Sequence, residues 1–356
     1  MSSLAERLAA RTLELVDIPS ESLHEAELCG VVRSLVPPEL ACVYEDADAA
    51  LWARPRRAGV PLVVLAGHYD TVPAQDNLPG RIEDGWVHGL GSADMKGGVA
   101  VALELVRELA TVEPGTMDVA LLLFGKEELP ASFNPLPQLF ERSPLIGEAA
   151  LAILLEPSAG AIHAGCVGTL IATVRFDGVS GHAARPWLAD NALERAVLGL
   201  GQIASLMRRE AIVGGLPFYE TVTLTRLDSG IADNVVPDAA LATVNLRYPP
   251  DREPEEALAL LRSLVPADAV VEVVGNSPPA RVVSDTPLVR RLLDAGAHGI
   301  EPKQAWTNVA DFTTRGIDAV NYGPGDPVYA HRRDERVEIA ALVETYETLR
   351  RLLLEG

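Results

Sequence analysis

Apolar positions recur near the helical period at the start of the chain, where Leu4, Leu8 and Leu15 share a face, and "IPS" at 18–20 ends the pattern. Ser20 is then placed to cap a second helix. Three short apolar runs follow, "PLVVLAG", "DVALLLF" and "LAILLEP", separated by helical patterns such as "MKGGVAVALELVRELA". Runs of this length fit buried strands, and their alternation with helices predicts an α/β domain with a mostly parallel central sheet flanked by helices. In such sheets functional residues collect just beyond the carboxyl ends of the strands.

The pattern changes near residue 169. Strand "LIATVRFDGV", helix "NALERAVLGLGQIASLMRREA", strands "TVTLTRL" and "LATVNLRYP", helix "EPEEALALLRSLV" and strand "AVVEVVG" follow in turn. This β-α-β-β-α-β order predicts a ferredoxin-like sandwich inserted at 169–280 into a first domain made of 1–168 plus 281–356. Helix "DTPLVRRLLDAG", with Pro287 just inside an Asp285 cap, and the closing helix "VEIAALVETYETLRRLLLEG" return the chain to the first domain. At 356 residues a split into two domains is the expectation.

Composition narrows the function. Hydrophobic residues make up 48% of the chain and the net charge is -20. That charge excludes a phosphate-backbone partner, so no nucleic acid is expected. The longest apolar runs fall short of the ~20 residues a bilayer span needs, so no membrane is expected either. The first twenty residues mix acids with bases and lack an apolar export core, and the three cysteines form no CxxC pair; both favour the cytoplasm.

Several acids and histidines stand where the strand pattern ends. His68 closes the first central run and Asp70 lies two residues on, where an extended backbone would let its carboxylate orient the imidazole. Asp94 lies in "GSADMKGG", whose glycines allow close approach to a site and whose carboxylate could bridge two cations. Glu127 and Glu128 follow the next strand, and adjacent carboxylates repel unless cations or protons separate them. Glu156 ends the strand after that, and His331 follows a Gly/Pro-rich loop in "GPGDPVYAHRRDERV". Singly, each has an ordinary explanation as a cap or a solvated loop group. Together, two histidines and three carboxylates (His68, Asp94, Glu128, Glu156, His331) suit two borderline-hard cations, leaving Glu127 as general base for a shared water.

With these residues in view, the chain resembles the family of co-catalytic zinc amidohydrolases that contains succinyl-diaminopimelate desuccinylases, acetylornithine deacetylases, aminoacylases and glutamate carboxypeptidases. "GHYDTVP", "GSADMKGG", "KEE", "LLEPS" and "AHRRDERV" occur in that family's order over nearly the whole chain. "DNLPGR", "AGCVGTL", "NVVPDAA" and "NLRYPPD" are most similar to its actinobacterial desuccinylase branch. The resemblance implies a zinc-exopeptidase-like catalytic domain with an inserted dimerisation domain. It implies two zinc ions, with cobalt or manganese also compatible: one on His68 and Glu156, the other on Glu128 and His331, with Asp94 shared. It further implies Glu127 and Asp70 as catalytic and supporting carboxylates, and His182 of "GVSGHAARP" as an oxyanion donor reaching a partner's site in a homodimer. Asn234, Arg247 and Thr307 become substrate-binding candidates, and Arg185 and Arg281 further basic candidates.

The reaction implied is hydrolysis of the N-succinyl amide of N-succinyl-LL-2,6-diaminopimelate. N-acetylornithine, other N-acyl amino acids or dipeptides are the alternative substrates, and a non-catalytic binding relative is the alternative of another class. Two positions depart from the family pattern: Asp311 stands in "TNVADF" where desuccinylases often carry arginine, and Lys126 precedes the glutamate pair where a small or acidic residue is usual.

Overall fold

The computed structural model describes residues 3–355, and the chain divides into two compact units. The first comprises the residues up to Ala164, Val283–Glu301 and those from Asp311 onward; the second is Gly165–Val282 with Pro302–Ala310. The expected junctions at 168/169 and 280/281 therefore move by a few residues. Residues 302–310, assigned from the pattern to the first domain, pack with the second.

The first unit is built on an eight-stranded sheet whose last two strands run past the unit's boundaries at Ala164 and Glu301. Its order is Ala41–Glu45, Ala49–Ala53, Asp118–Phe124, Leu62–His68, Ala149–Leu154, Ala319–Asn321, Ile162–Cys166, Ile300–Lys303. Strands Asp118–Phe124, Leu62–His68, Ala149–Leu154 and Ala319–Asn321 run parallel. Ala49–Ala53 on one side and Ile162–Cys166 on the other join antiparallel. The sheet is thus mixed, with a parallel centre. Every residue of Leu62–His68 is buried, as a strand covered on both faces requires. Helix Gly97–Thr111 is buried around most of its circumference because Leu4–Val16 and Ile339–Leu354 both lie against it. The Leu4–Val16 helix starts in a capping box: Ser3 Oγ accepts the Glu6 N–H and Glu6 Oε2 accepts the Ser3 N–H, an arrangement worth about 1 kcal/mol.

In the second unit five antiparallel strands run in the order Arg209–Val213, Leu216–Ser229, Ala239–Tyr248, Gly168–Asp177, Val270–Ser277. Leu170, Ala172, Val174 and Phe176 alternate with less buried residues and pack with Ala192, Ala196, Ala257 and Leu261 of helices Ala192–Gly199 and Pro254–Ser263. This is the expected β-α-β-β-α-β order plus one edge strand. The extra strand comes from "REAIV", which the pattern had merged into one helix over 191–211. The helix ends at Gly199, a short turn covers Gly201–Ala204, and Gly214 and Gly215 at φ +56° and +83° close a two-residue hairpin that pairs Val213 with Leu216.

Two capping expectations are corrected. Ser20 caps nothing; its hydroxyl donates to the Tyr69 carbonyl, and the second helix begins later, at Ala26–Leu35. Thr286, not Asp285, caps Pro287–Asp294, accepting the Val289 N–H, while Asp285 pairs with Arg290. Among the described residues no helix is long and apolar enough to cross a membrane.

Candidate metal centre

Three adjacent parallel strands of the first unit deliver acids and a histidine to one place. His68 is the last residue of Leu62–His68 and is 1% exposed; Glu156 lies two residues beyond Ala149–Leu154; Glu127 and Glu128 follow Asp118–Phe124. Asp94 comes from the segment before helix Gly97–Thr111, at a kink where its φ of -124° and ψ of 95° leave the helical range. The glycines there are structural requirements. Gly91 has φ +78°, and a Cβ on Gly98 would lie 2.3 Å from the Leu155 carbonyl, so only glycine lets the helix start this close to the Glu156 strand. A cavity of about 290 Å³ among Leu40, Val106, Met117 and Leu353 opens at the amino end of the Asp118–Phe124 strand and touches none of these groups.

The five side chains chosen from the sequence meet in a chain of short contacts. Asp94 presents one oxygen to each histidine: Oδ1 is 3.3 Å from His68 Nε2, and Oδ2 is 3.5 Å from His331 Nε2. Glu156 Oε1 is 3.6 Å from His68 Nε2, and Glu128 Oε1 is 3.0 Å from His331 Nε2. Ligand atoms of His68, Asp94 and Glu128 all fall within 4.8 Å of one another. Separations of 3.0–3.6 Å fit neighbouring donors each about 2.0–2.1 Å from a shared cation. His68 Nε2 is also buried with no hydrogen-bond partner, a condition a bound cation would relieve. The residues therefore fit two metal ions that share Asp94.

Electrostatics points the same way. Burial alone would lower the His68 pKa, yet the adjacent carboxylates of Asp70 and Asp94 and the charge of Glu127 carry it well above its usual value. Its hydrogen bond to Glu128 pushes His331 up to about 9. Burial first, then the carboxylates of Glu156, Glu128 and Asp94, raise Glu127 well above the carboxylate range against the lowering pull of His68. So much negative charge in so little space favours bound cations.

Asp70, fully buried, holds the turn as well as the histidine. His68 Nδ1 lies 3.0 Å from the Asp70 carbonyl and 3.4 Å from its carboxylate. The same carboxylate accepts the backbone N–H of Glu127 at 3.1 Å and of Glu128 at 3.2 Å, and the Ser22 hydroxyl at 2.7 Å. Despite burial, His68 first, and then the Ser22 and Glu127 bonds, hold its pKa below the usual value. Lys126, at φ +63°, ties the turn from the other side through Asp48 Oδ2 at 2.7 Å. Asp311 accepts from Asn134 Nδ2.

The sequence missed Glu335. Its carboxylate, 2% exposed, accepts the N–H groups of Gly91, Ala93 and Asp94. Its only signal was its place four residues after His331.

The remaining candidates lie in the second unit and fall into two pairs. His182 pairs with Val235 in a two-stranded ribbon, next to Asn234, whose carbonyl accepts the Ala183 N–H. The Ala184 N–H donates to His182 Nδ1 at 3.1 Å, which leaves the ring proton on exposed Nε2. Thr307 lies beside Cys166, whose Sγ is 3.8 Å from its carbonyl, and Arg247 pairs with Thr169, three residues after Cys166. Arg247 is eight residues along the strand from Ala239, roughly 26 Å at about 3.3 Å per residue, so within one chain the two pairs occupy opposite ends of the sheet.

Comparison with known proteins places this geometry in context. Residues 64–355 match the family described as Peptidase family M20/M25/M40. Over 96% of both chains the protein is 38% identical to a Mycobacterium tuberculosis protein that carries the name DapE. It is 36% identical to the succinyl-diaminopimelate desuccinylase of Corynebacterium glutamicum, covering 97% of this chain and 95% of that one. In fold it is similar to aminopeptidase PepT of Bacillus cereus, with a TM-score of 0.78 at 20% identity and 98% of both chains covered. It is also similar to YXEP of Bacillus subtilis, described as a dinuclear metal-binding M20 peptidase, with a TM-score of 0.67 at 15% identity and 98% and 97% covered.

Proposed function

The chain belongs to peptidase family M20/M25/M40, and from that premise we propose that it is a dinuclear-metal amidohydrolase cleaving N-succinyl-LL-2,6-diaminopimelate to succinate and LL-2,6-diaminopimelate. The observation that carries the chemistry is Asp94, with one oxygen toward His68, which also faces Glu156, and the other toward His331, which also faces Glu128. The substrate comes from the desuccinylases to which the chain is similar over almost its whole length.

His68 and Glu156 would hold one ion, Glu128 and His331 the second, and Asp94 both. Zinc is the proposed metal, and the imidazole and carboxylate donors also accept cobalt or manganese. When bound, the ions supply Lewis acidity toward the acyl oxygen and acidify water to near-neutral pKa. Glu127 takes the proton from the attacking water at its carboxylate and delivers it to the leaving amine; its burial among other acids supports that proton-holding role. Asp70 keeps the His68 imidazole and the glutamate turn in register.

His182 would donate Nε2–H to the tetrahedral oxyanion from a second subunit, with Asn234 beside it. Arg247 and Thr307 would bind the substrate of their own subunit. Leu198, Met207 and Ile212, 81%, 84% and 64% exposed, line one helix, the turn after it and the edge strand Arg209–Val213. An apolar rim along an edge strand with one open side supports a homodimer through this unit. The proposed compartment is the cytoplasm, a reading supported by the free thiols of Cys29, Cys42 and Cys166.

The test is succinate release from N-succinyl-LL-diaminopimelate by zinc-loaded protein, beside N-acetylornithine. Preferential desuccinylation, lowered about 10²–10⁴-fold in kcat by Glu127→Gln, is the expected result. Preference for the acetyl substrate, favoured if Asp311 repels an acidic acyl tail, would overturn the substrate and keep the centre.

A further inference from the structure

Glu335 is a buried carboxylate whose oxygens are committed to the backbone that carries Asp94. Oε2 accepts the Gly91 N–H at 2.8 Å, and Oε1 accepts the N–H groups of Ala93 and Asp94 at 3.1 and 3.0 Å. The three donors converge because Gly91 is left-handed, at φ +78°, and Asp94 leaves the helical range. Successive N–H groups in such a bend form an anion-binding concavity, and here the anion is supplied by the chain itself. The Glu335 backbone is fixed as well: its carbonyl accepts the Gly89 N–H, and it leads directly into strand Arg336–Glu338, paired with Trp86–His88.

His331 lies four residues upstream. Its side chain is half exposed and its backbone has φ +59°. The loop is tied down by Gln75 Nε2 on the His331 carbonyl, Asn77 Nδ2 on the Arg332 carbonyl, and Glu335. One side chain therefore links the loop carrying the outer histidine to the segment carrying the shared aspartate. His68 ends one central strand and Glu156 follows another, and His68 has its own support in Asp70.

We infer that Glu335 is a positioning residue of the metal centre, holding Asp94 in register with His331 and thereby setting the affinity of the Glu128/His331 half. The inference rests on the dinuclear reading proposed above. Glu335→Gln keeps the shape but turns an NH₂ donor toward backbone donors, which misplaces the Asp94 segment without removing any proposed ligand.

The experiment titrates metal-free full-length protein with Co(II), following heat and the visible absorption of the bound ion. Wild type is expected to take up two equivalents. Glu335→Gln should bind the first as wild type does and the second about 10–100-fold more weakly, with an altered absorption band for the second ion. At saturating metal its kcat should be reduced and its KM unchanged. Glu335→Asp, which keeps the charge on a shorter arm, should recover part of the second affinity, and it takes the place of the glutamine variant if that variant does not fold. Glu108→Gln, which disturbs a remote contact with Tyr346 and Arg350, should leave both equivalents unchanged. Two wild-type-like equivalents in Glu335→Gln, or the same loss in Glu108→Gln, would overturn the role of Glu335. Fewer than two equivalents in wild type would overturn the dinuclear reading and this inference with it.

Discussion

The two halves of the candidate centre are built from different material. His68 ends one central strand and Glu156 follows the adjacent one, 1% and 5% exposed, and the His68 N–H is itself covered by Met95 Sδ at 3.3 Å. Glu128 stands four residues past its strand, and His331 sits on a loop with half its side chain in solvent. A ligand fixed by a sheet loses little freedom when it binds a cation, whereas a ligand on a loop must be ordered by other bonds. The chain supplies those bonds at Asp70 for the glutamate turn and at Gln75, Asn77 and Glu335 for the histidine. The difference teaches that a candidate site can be symmetrical in ligand count and unequal in rigidity, from which we expect the sheet-borne half to bind metal first.

The sharpest way to break this comparison is to delete one histidine from each half. His68→Ala is expected to abolish turnover, because it strips the sheet-borne half and leaves Asp94 without its inner partner. His331→Ala should still bind one equivalent of metal and keep measurable turnover. Calorimetric metal titration beside kcat checks both, and equal losses in the two variants would erase the distinction.

Asp70→Asn comes next in size. Asp70 touches both halves, contacting His68 on one side and accepting the N–H groups of Glu127 and Glu128 on the other. Both metal equivalents should weaken by about 10–100-fold. A loss confined to one equivalent would show that the carboxylate supports only the imidazole or only the turn.

The smallest effect is expected at Lys126→Gly. The partly exposed ion pair with Asp48 contributes at most about 1 kcal/mol. Glycine relieves a comparable cost of about 1 kcal/mol at positive φ. Tm should stay within about 3 °C of wild type, and affinity for the second metal should change less than threefold. A tenfold loss would mean that Lys126, more than Asp70, holds the Glu128 half in place.

Much of this was legible in the chain. The all-apolar runs ending in His68, Phe124 and Leu154 had to be buried parallel strands, and acids placed just after such runs had to emerge at one end of the sheet. The β-α-β-β-α-β order was equally readable from periodicity. The edge strand Arg209–Val213 was not: its residues continue an apolar spacing that suits a helix, and only pairing with Leu216–Ser229 makes them extended. Ser20 looked like a cap because its residue type fits one, but the Tyr69 carbonyl claimed its hydroxyl. Glu335 looked like one more surface acid in "HRRDERV", since nothing local reveals that three N–H groups more than two hundred residues upstream in sequence converge on it.

The sequence by itself determined which groups could do the chemistry, because residue type and position after a strand are local properties of the chain. Which oxygen of Asp94 faces which histidine, that Asp70 grips the Glu127–Glu128 turn as well as His68, and that Glu335 holds the Asp94 segment were decided only by tertiary structure. Each depends on distances between segments far apart in sequence, and those distances are set by sheet order and helix packing.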